Sequence, residues 1–166
     1  MNYKFYAFHF LKFLMAILIG RHETKVSSLM RLRIFAQELQ SKRLGTFFEN
    51  RFKSIGLHIS QNSRIDASLK LPHAHGIVIG KGVEVAEDVV IFQNVTLGGA
   101  RLGDWEEGNY PSIGRGTIIF AGAVIIGRVR IGENCVIGAN AVVVSDVPNN
   151  STFVGIPARA KQQKGA

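Results

Sequence analysis

Aliphatic side chains recur every six residues through most of this chain. They stand at Ile59, Ile65, Leu71 and Ile77, again at Ile79, Val85, Ile91 and Leu97, and a third time at Ile113, Ile119, Ile125, Ile131, Ile137 and Val143. Four residues after most of them comes a second small or β-branched position: Val83, Val89, Val95, Thr117, Ala123, Val129, Cys135, Ala141 and Val147. A fixed period of this kind identifies a solenoid that element-by-element reading would miss. An amphipathic helix drifts out of phase with a period of six, and antiparallel strands would show strict alternation with hairpin turns. A single six-residue strand cannot bury its apolar positions, but three hexads closing one triangular coil can, once coils stack and line a continuous interior. Gly follows the aliphatic at 80, 98, 114, 132 and 138, and is read as supplying permissive backbone near the corners.

The period begins only at Ile59, and composition changes at the same place. Of the 166 residues, 20 are Lys or Arg and 12 are Asp or Glu, a net charge of +8. Residues 1–58 hold 10 basic and 3 acidic residues, while residues 59–166 hold 10 and 9, so the charge belongs to the N-terminal third. The expected organisation is a helical segment over 1–58 and a solenoid over 59–166, with a protruding loop at about 98–112 and a C-terminal tail. The apolar run Phe5–Ile19 carries His9 and Lys12 and falls short of the roughly 20 residues that span a bilayer. It reads as an amphipathic helix, and a second helix is predicted from Ser27 or Ser28 to Arg43. In that helix Leu29, Leu32, Ile34, Phe35 and Leu39 form the apolar face, with Arg31, Arg33 and Lys42 outside it. These helices either cap the solenoid or a neighbouring subunit, or touch an anionic membrane surface through residues 1–20. The lone Cys135 makes no internal disulfide, which points to a reducing, cytoplasmic setting, and it is read as a core thiol. Nothing resembles a recognition helix or a base-stacking platform, so nucleic acid is not expected as a partner.

Four stretches carry a family resemblance: Leu71-Pro-His-Ala-His-Gly-Ile-Val-Ile79, Ile91-Phe-Gln-Asn-Val-Thr-Leu-Gly-Gly99, Phe120-Ala-Gly-Ala-Val-Ile-Ile-Gly127, and Asp146-Val-Pro148 with Gly155-Ile-Pro-Ala-Arg159. Over roughly residues 56–160 the chain resembles the hexapeptide-repeat acyltransferases, and within them the serine O-acetyltransferase branch. The resemblance implies a mainly β chain, a left-handed parallel β-helix acting as a homotrimer with sites between subunits, and acetyl-CoA as co-substrate. It implies donor contacts at Ala121, Gly122, Gly138 and Ala139 for the pantetheine arm and at Arg159 for the phosphates, while Arg128 and Arg130 either assist from the preceding coil or form a solvated outer face.

The register breaks twice, at His75-Gly76-Ile77-Val78 beside His73, and by a ten-residue excess between Leu97 and Ile113. Acetyl transfer from a thioester to a hydroxyl needs a base, and the ordinary pKa of His suits that role. His73 matches by position the histidine that the resembling enzymes use as general base, and His75 either lines the acceptor pocket or is a packed corner histidine. The serine enzymes carry a carboxylate fifteen positions earlier, where this chain has His58. What orients His73 therefore stays open among His58, Asp66, a backbone carbonyl, and Asp104 or Glu106 from the loop of an adjacent subunit. The same enzymes hold the amino acid through an Asp before the catalytic histidine and an Arg-His pair late in the loop; here those positions are Pro72, Asn109 and Tyr110. A zwitterion bound without charge-assisted bonds loses its strongest contacts. Trp105, Asn109 and Tyr110 suit a sugar instead, so the expected acceptor is a saccharide hydroxyl, as in similar short enzymes of capsule and surface-polysaccharide biosynthesis, with serine as the alternative. A non-catalytic or metal-binding β-helix is the remaining rival, and no metal is expected because a third histidine ligand is not evident and Cys135 reads as core.

Overall fold

The computed structural model describes residues 22–161. The predicted helix over residues 5–19 and the membrane contact assigned to residues 1–20 lie outside them. The hexads become short parallel strands that stack into three sheets. Sheet one is β1 (His58–Ile59), β3 (Val78–Ile79), β6 (Thr96–Gly98), β9 (Val124–Ile126) and β12 (Val142–Val143). Sheet two is β2 (Arg64–Ile65), β4 (Glu84–Val85), β7 (Ser112–Ile113) and β10 (Arg130–Ile131). Sheet three is β5 (Val90–Ile91), β8 (Ile118–Ile119), β11 (Val136–Ile137) and β13 (Thr152–Val154), closed by β14 (Arg159–Ala160), which turns back antiparallel. The result is a left-handed parallel β-helix.

All fourteen aliphatics of the repeat are buried, and so are the nine second positions. Cys135 is among them, its thiol donating to the carbonyl of Pro148 at 3.0 Å. One assignment within the period changes. Val78 pairs with Thr96, which puts Ile77 level with Val95 as a second-position residue and leaves Ile79 to continue the aliphatic row.

The glycines that follow the aliphatic work differently from expectation. None of Gly80, Gly98, Gly114, Gly132 and Gly138 has a positive φ. Gly114 shows what they do instead, since a Cβ there would stand 2.5 Å from the carbonyl carbon of Gly132 in the coil above. Close approach of backbone to backbone is the constraint. The left-handed corner conformation is taken largely by Asp88, Asn94, Asn134, Asn140 and Asn150, whose short polar side chains tolerate it.

Two helices close the N-terminal end, α1 (His22–Glu38) and α2 (Lys42–Lys53). The predicted single helix to Arg43 is broken: Gln40 turns left-handed at φ 50°, and Ser41 caps α2 by accepting from the Leu44 amide at 3.4 Å. Gly45, Phe48 and Phe52 then face inward at helical spacing. In α1 the buried stripe runs Val26, Leu29, Met30, Arg33 and Ala36. Arg33, expected on the outer face, is 1% exposed, whereas Leu39, expected on the apolar face, is 54% exposed. The guanidinium explains the exchange: Nη2 donates to Ser60 O at 2.7 Å, Ser63 O at 2.9 Å and Ser63 Oγ at 2.8 Å, satisfying the open end of the first coil.

Candidate functional site: one corner of the β-helix

The first register break is a two-residue bulge. Lys70 bridges to Val90 and Val78 pairs with Thr96, so eight residues on the first coil span what six span on the second. Pro72 then stands level with Phe92 and His75 with Gln93, and the excess is His73-Ala74. Ala74 turns inward and is 1% exposed, while His73 is pushed outward into solvent. The bulge is held by the His75 amide donating to His73 O at 2.9 Å, and by Gly76 N to Gly56 O at 2.8 Å and Asn94 N to His75 O at 3.1 Å. A ladder residue could not present an imidazole this way, because its side chain would sit in a row of stacked neighbours.

The corner where sheet three turns into sheet one carries most of the expected site residues in one column along the solenoid axis. His73 and His75 are on the first coil, Ala121 and Gly122 on the third, and Gly138 and Ala139 on the fourth. Arg159, in β14 beside Val154, closes the last coil, with its Nη1 donating to Ala158 O at 2.9 Å. His58 is exposed on β1 at the other side of the same corner, level with Val78. No hydrogen bond joins it to His73 among the described residues.

Other expectations come apart. Asn109 donates to Asp104 Oδ1 at 3.2 Å and Glu107 Oε2 at 2.7 Å, so its amide is spent inside the loop. Tyr110 lies against Gly80 and Gly82 of its own chain, at the corner between sheets one and two, and is partly buried. Trp105, in the short helix α3 (Asp104–Glu107), is 51% exposed and remains free to reach outward. Within one chain the loop does not join the His73 corner. Arg130 sits on sheet two, and Arg128 is exposed just before it, where sheet one turns into sheet two; neither lies on the column of expected donor contacts.

The carboxylates considered for orienting His73 are otherwise engaged. Asp66 Oδ1 accepts from the Ser68 hydroxyl at 2.6 Å and the Ser68 amide at 2.8 Å, contacts that hold its carboxyl below the usual range. Asp104 Oδ2 accepts from the amides of Arg101 at 2.7 Å and Ala100 at 2.6 Å, which likewise lower its pKa and staple the start of the loop. Glu106 is exposed on α3. No group of three His, Cys, Asp or Glu gathers to hold a metal among the described residues, and no helix among them is long and apolar enough to cross a membrane.

Sequence reasoning missed three residues at this corner. Phe92 and Phe120 stand outward from sheet three, their rings stacked at 5.2 Å with an interplanar angle of 11°, and Phe92 lies 6.0 Å from the His73 ring. The available signal was that both fill the position after the aliphatic, which five other hexads give to glycine. Gln93, level with His75, has its side-chain oxygen buried with no hydrogen-bond partner among the described residues.

Residues 110–145 match the family described as bacterial transferase hexapeptide (six repeats). With the fold above, this makes the chain similar to hexapeptide-repeat transferases. Among individual proteins it is similar to serine acetyltransferases. It is 37% identical over 123 residues, 74% of its length, to the serine acetyltransferase of Buchnera aphidicola. It superposes with a TM-score of 0.74 at 36% identity on Neisseria gonorrhoeae serine acetyltransferase in complex with serine, over 87% of this chain. A serine acetyltransferase in complex with CoA superposes with a TM-score of 0.72 at 30% identity, over 89% of this chain. The chain spans 44% of the Buchnera relative's length and 58% and 60% of the two solved chains. These relatives support the expected branch and give no support to the capsule or polysaccharide type within it.

Proposed function

We propose that this chain is an acetyl-CoA-dependent O-acetyltransferase with serine as its acceptor and His73 as general base. The bulge carries the reading: it sets one exposed imidazole at the head of a corner column whose small residues, Ala121, Gly122, Gly138 and Ala139, leave room for a slender pantetheine arm. The relatives crystallised with CoA and with serine support the two substrates. In the reaction His73 takes the acceptor hydroxyl proton as the oxygen attacks the thioester carbonyl carbon. The new C–O bond forms, the tetrahedral intermediate collapses with cleavage of the C–S bond, and the departing thiolate receives the proton from His73 as CoA-SH. Arg159 meets the donor phosphates, while His58 and His75 flank the acceptor side of the corner.

A saccharide acceptor is the second reading, favoured by one observation. Pro72, Asn109 and Tyr110 offer no charge to a zwitterion, and Asn109 and Tyr110 are already committed within their own chain. Trp105 is then the residue left to contact a sugar face.

Assembly as a homotrimer is part of the proposal. The outward positions of sheet two are Arg64, Glu84, Ser112 and Arg130, with Arg64 and Glu84 paired at 2.7 Å. Those of sheet one include Val78, Val124 and Val142, and those of sheet three Val90, Ile118 and Val136. Two apolar faces meeting at the His73 corner are what a closed ring would bury, face one of each copy against face three of the next.

The test is CoA release from acetyl-CoA by the full chain with serine, hexoses or polysaccharides as acceptor. Serine is expected to accelerate release, and His73→Ala to lower kcat by about 10²-fold or more while acetyl-CoA still binds. Acceleration by a saccharide alone moves the acceptor to the second reading. Turnover that survives His73→Ala overturns the base.

A further inference from the structure

We propose that Phe92 and Phe120 are the specificity-determining wall of the acyl subsite, admitting a two-carbon acyl group and turning away longer ones. The inference rests on the reading that an acyl thioester lies along the His73 corner. On that column the position after the interior aliphatic is Pro72, Phe92, Phe120, Gly138 and Val154 from the first coil to the last. The bulk is concentrated on the two coils immediately above the bulge, and the next coil is bare at Gly138. A slender chain running past Gly138 and Ala139 toward His73 meets the edge of Phe120 first and then Phe92.

The rings form a continuous apolar surface, stacked nearly parallel at 5.2 Å. Phe92 holds its centroid 6.0 Å from the imidazole, so an acyl carbon brought within reach of a hydroxyl on His73 lies beside that ring. Phe120 is 39% exposed, which leaves its outer edge free to touch a ligand. Each backbone is pinned: Phe92 N donates to Ile119 O at 3.0 Å and Phe120 N to Ile137 O at 2.9 Å. The backbone beneath the wall therefore cannot retreat without breaking the ladder, and extra methylenes on the acyl chain must unstack or turn the pair of rings. One or a few methylenes refused by such a surface correspond to about ten-fold or more in discrimination.

The experiment measures affinity for CoA, acetyl-CoA and butyryl-CoA by titration calorimetry, which needs no acceptor, on the wild-type chain and on Phe120→Ala, Phe120→Leu and Phe92→Leu. Molar mass in solution is measured alongside. Wild type is expected to bind butyryl-CoA about ten-fold more weakly than acetyl-CoA, Phe120→Ala to abolish that difference, and the leucine variants to fall between, all at unchanged molar mass. Should Phe120→Ala fail to fold, the leucine variants decide. An unaltered butyryl-to-acetyl ratio overturns the wall while leaving the donor reading intact. Dissociation of the assembly in these variants overturns it by assigning the pair to subunit packing. If wild type binds no CoA at all, the donor reading falls and the wall with it.

Discussion

Replacing Arg33 by methionine isolates what docks α1 onto the first coil. The side chain keeps most of its volume, so the change removes hydrogen bonds and charge while leaving little cavity. Three charge-assisted N–H donors are lost: the two of Nη2, shared among Ser60 O, Ser63 Oγ and Ser63 O at 2.7, 2.8 and 2.9 Å, and one of Nη1 on Gln37 Oε1 at 3.3 Å. At about 1.5–3 kcal/mol each they total about 4.5–9 kcal/mol. Against them stands the cost of burying a cation. Burial pushes the guanidinium from its ordinary value down to about 10, opposed by the nearby charge of Glu49. At about 1.4 kcal/mol per pH unit that shift costs about 3 kcal/mol. Below pH 10 Arg33 is charged in both the folded and the unfolded chain, so at neutral pH the cost is fully present and the methionine variant is relieved of it. The carbonyls keep other donors, Ser63 N on Ser60 O at 3.1 Å and Gln37 Nε2 on Ser63 O at 2.9 Å, so neither is orphaned. The balance predicts a loss of about 1.5–6 kcal/mol, a fall in Tm of roughly 3–24 °C for a chain of this size. Thermal unfolding followed by circular dichroism at fixed protein concentration reads it. Buried charges exchanged for apolar groups often leave a protein unchanged or more stable. An unaltered or raised Tm in Arg33→Met would show that apolar packing of Val26, Leu29 and Met30 docks the helix and that the guanidinium contributes nothing net.

Gly114→Ala forces a methyl onto the Gly132 backbone, which has nowhere to go in a stacked ladder, and is expected to cost about 1–3 kcal/mol in urea unfolding. Asp104→Asn weakens the staple on Ala100 and Arg101, so trypsin should cut after Arg101 faster while the Tm of the solenoid barely moves. The same bonds give the loop a pH dependence of fixed sign. The carboxyl of Asp104 lies below its ordinary 3.8 in the folded chain, so its contribution is present above that value and is lost as pH falls through the lower, folded pKa. Proteolysis at Arg101 by an acid-active protease should therefore rise only below about pH 4.

The solenoid was legible because stacking repeats one burial constraint at every coil, so fourteen aliphatics carry the same message. Where that constraint lapses the reading lapsed too. The glycines after the aliphatic were credited with the permissive corner backbone because Gly is the usual solution, while Asn94, Asn134 and Asn140, with Gly116 and Gly122, take the left-handed corners. The helical segment has no repeat to average over, so the break at Gln40-Ser41 was passed over and Arg33 was sorted by polarity, although the side chain completes the hydrogen bonding of Ser60 and Ser63. At the site, counting residues across the first break was enough to bring His73 to attention. It did not show that the excess is His73-Ala74, because locating it needs the pairing of Lys70 with Val90. Phe92 and Phe120 escaped because a Phe after an aliphatic reads as more core, when in a β-helix that position points outward.

The orientation of His73 is a problem that one chain does not solve. Asp66 is turned to Ser68, Asp88 to Lys70, Glu84 to Arg64 and Asp104 to its own loop amides. Each of these carboxylates already accepts from a donor at 3.2 Å or less. The proposed trimer changes the accounting, because the faces that flank the His73 corner are the apolar ones. Burying sheet one of one copy against sheet three of the next carries the neighbour's surface to that corner, while the charged sheet two stays in water. The loop at 98–112 leaves where sheet one turns into sheet two, so it cannot fold back to its own His73 column, and a partner's corner is the one it can approach. Trp105 and Glu106, exposed on α3, are the loop side chains free to arrive there. With the proposed base on one subunit and its surroundings on another, catalysis would depend on assembly, and activity should fall with dilution in step with the molar mass.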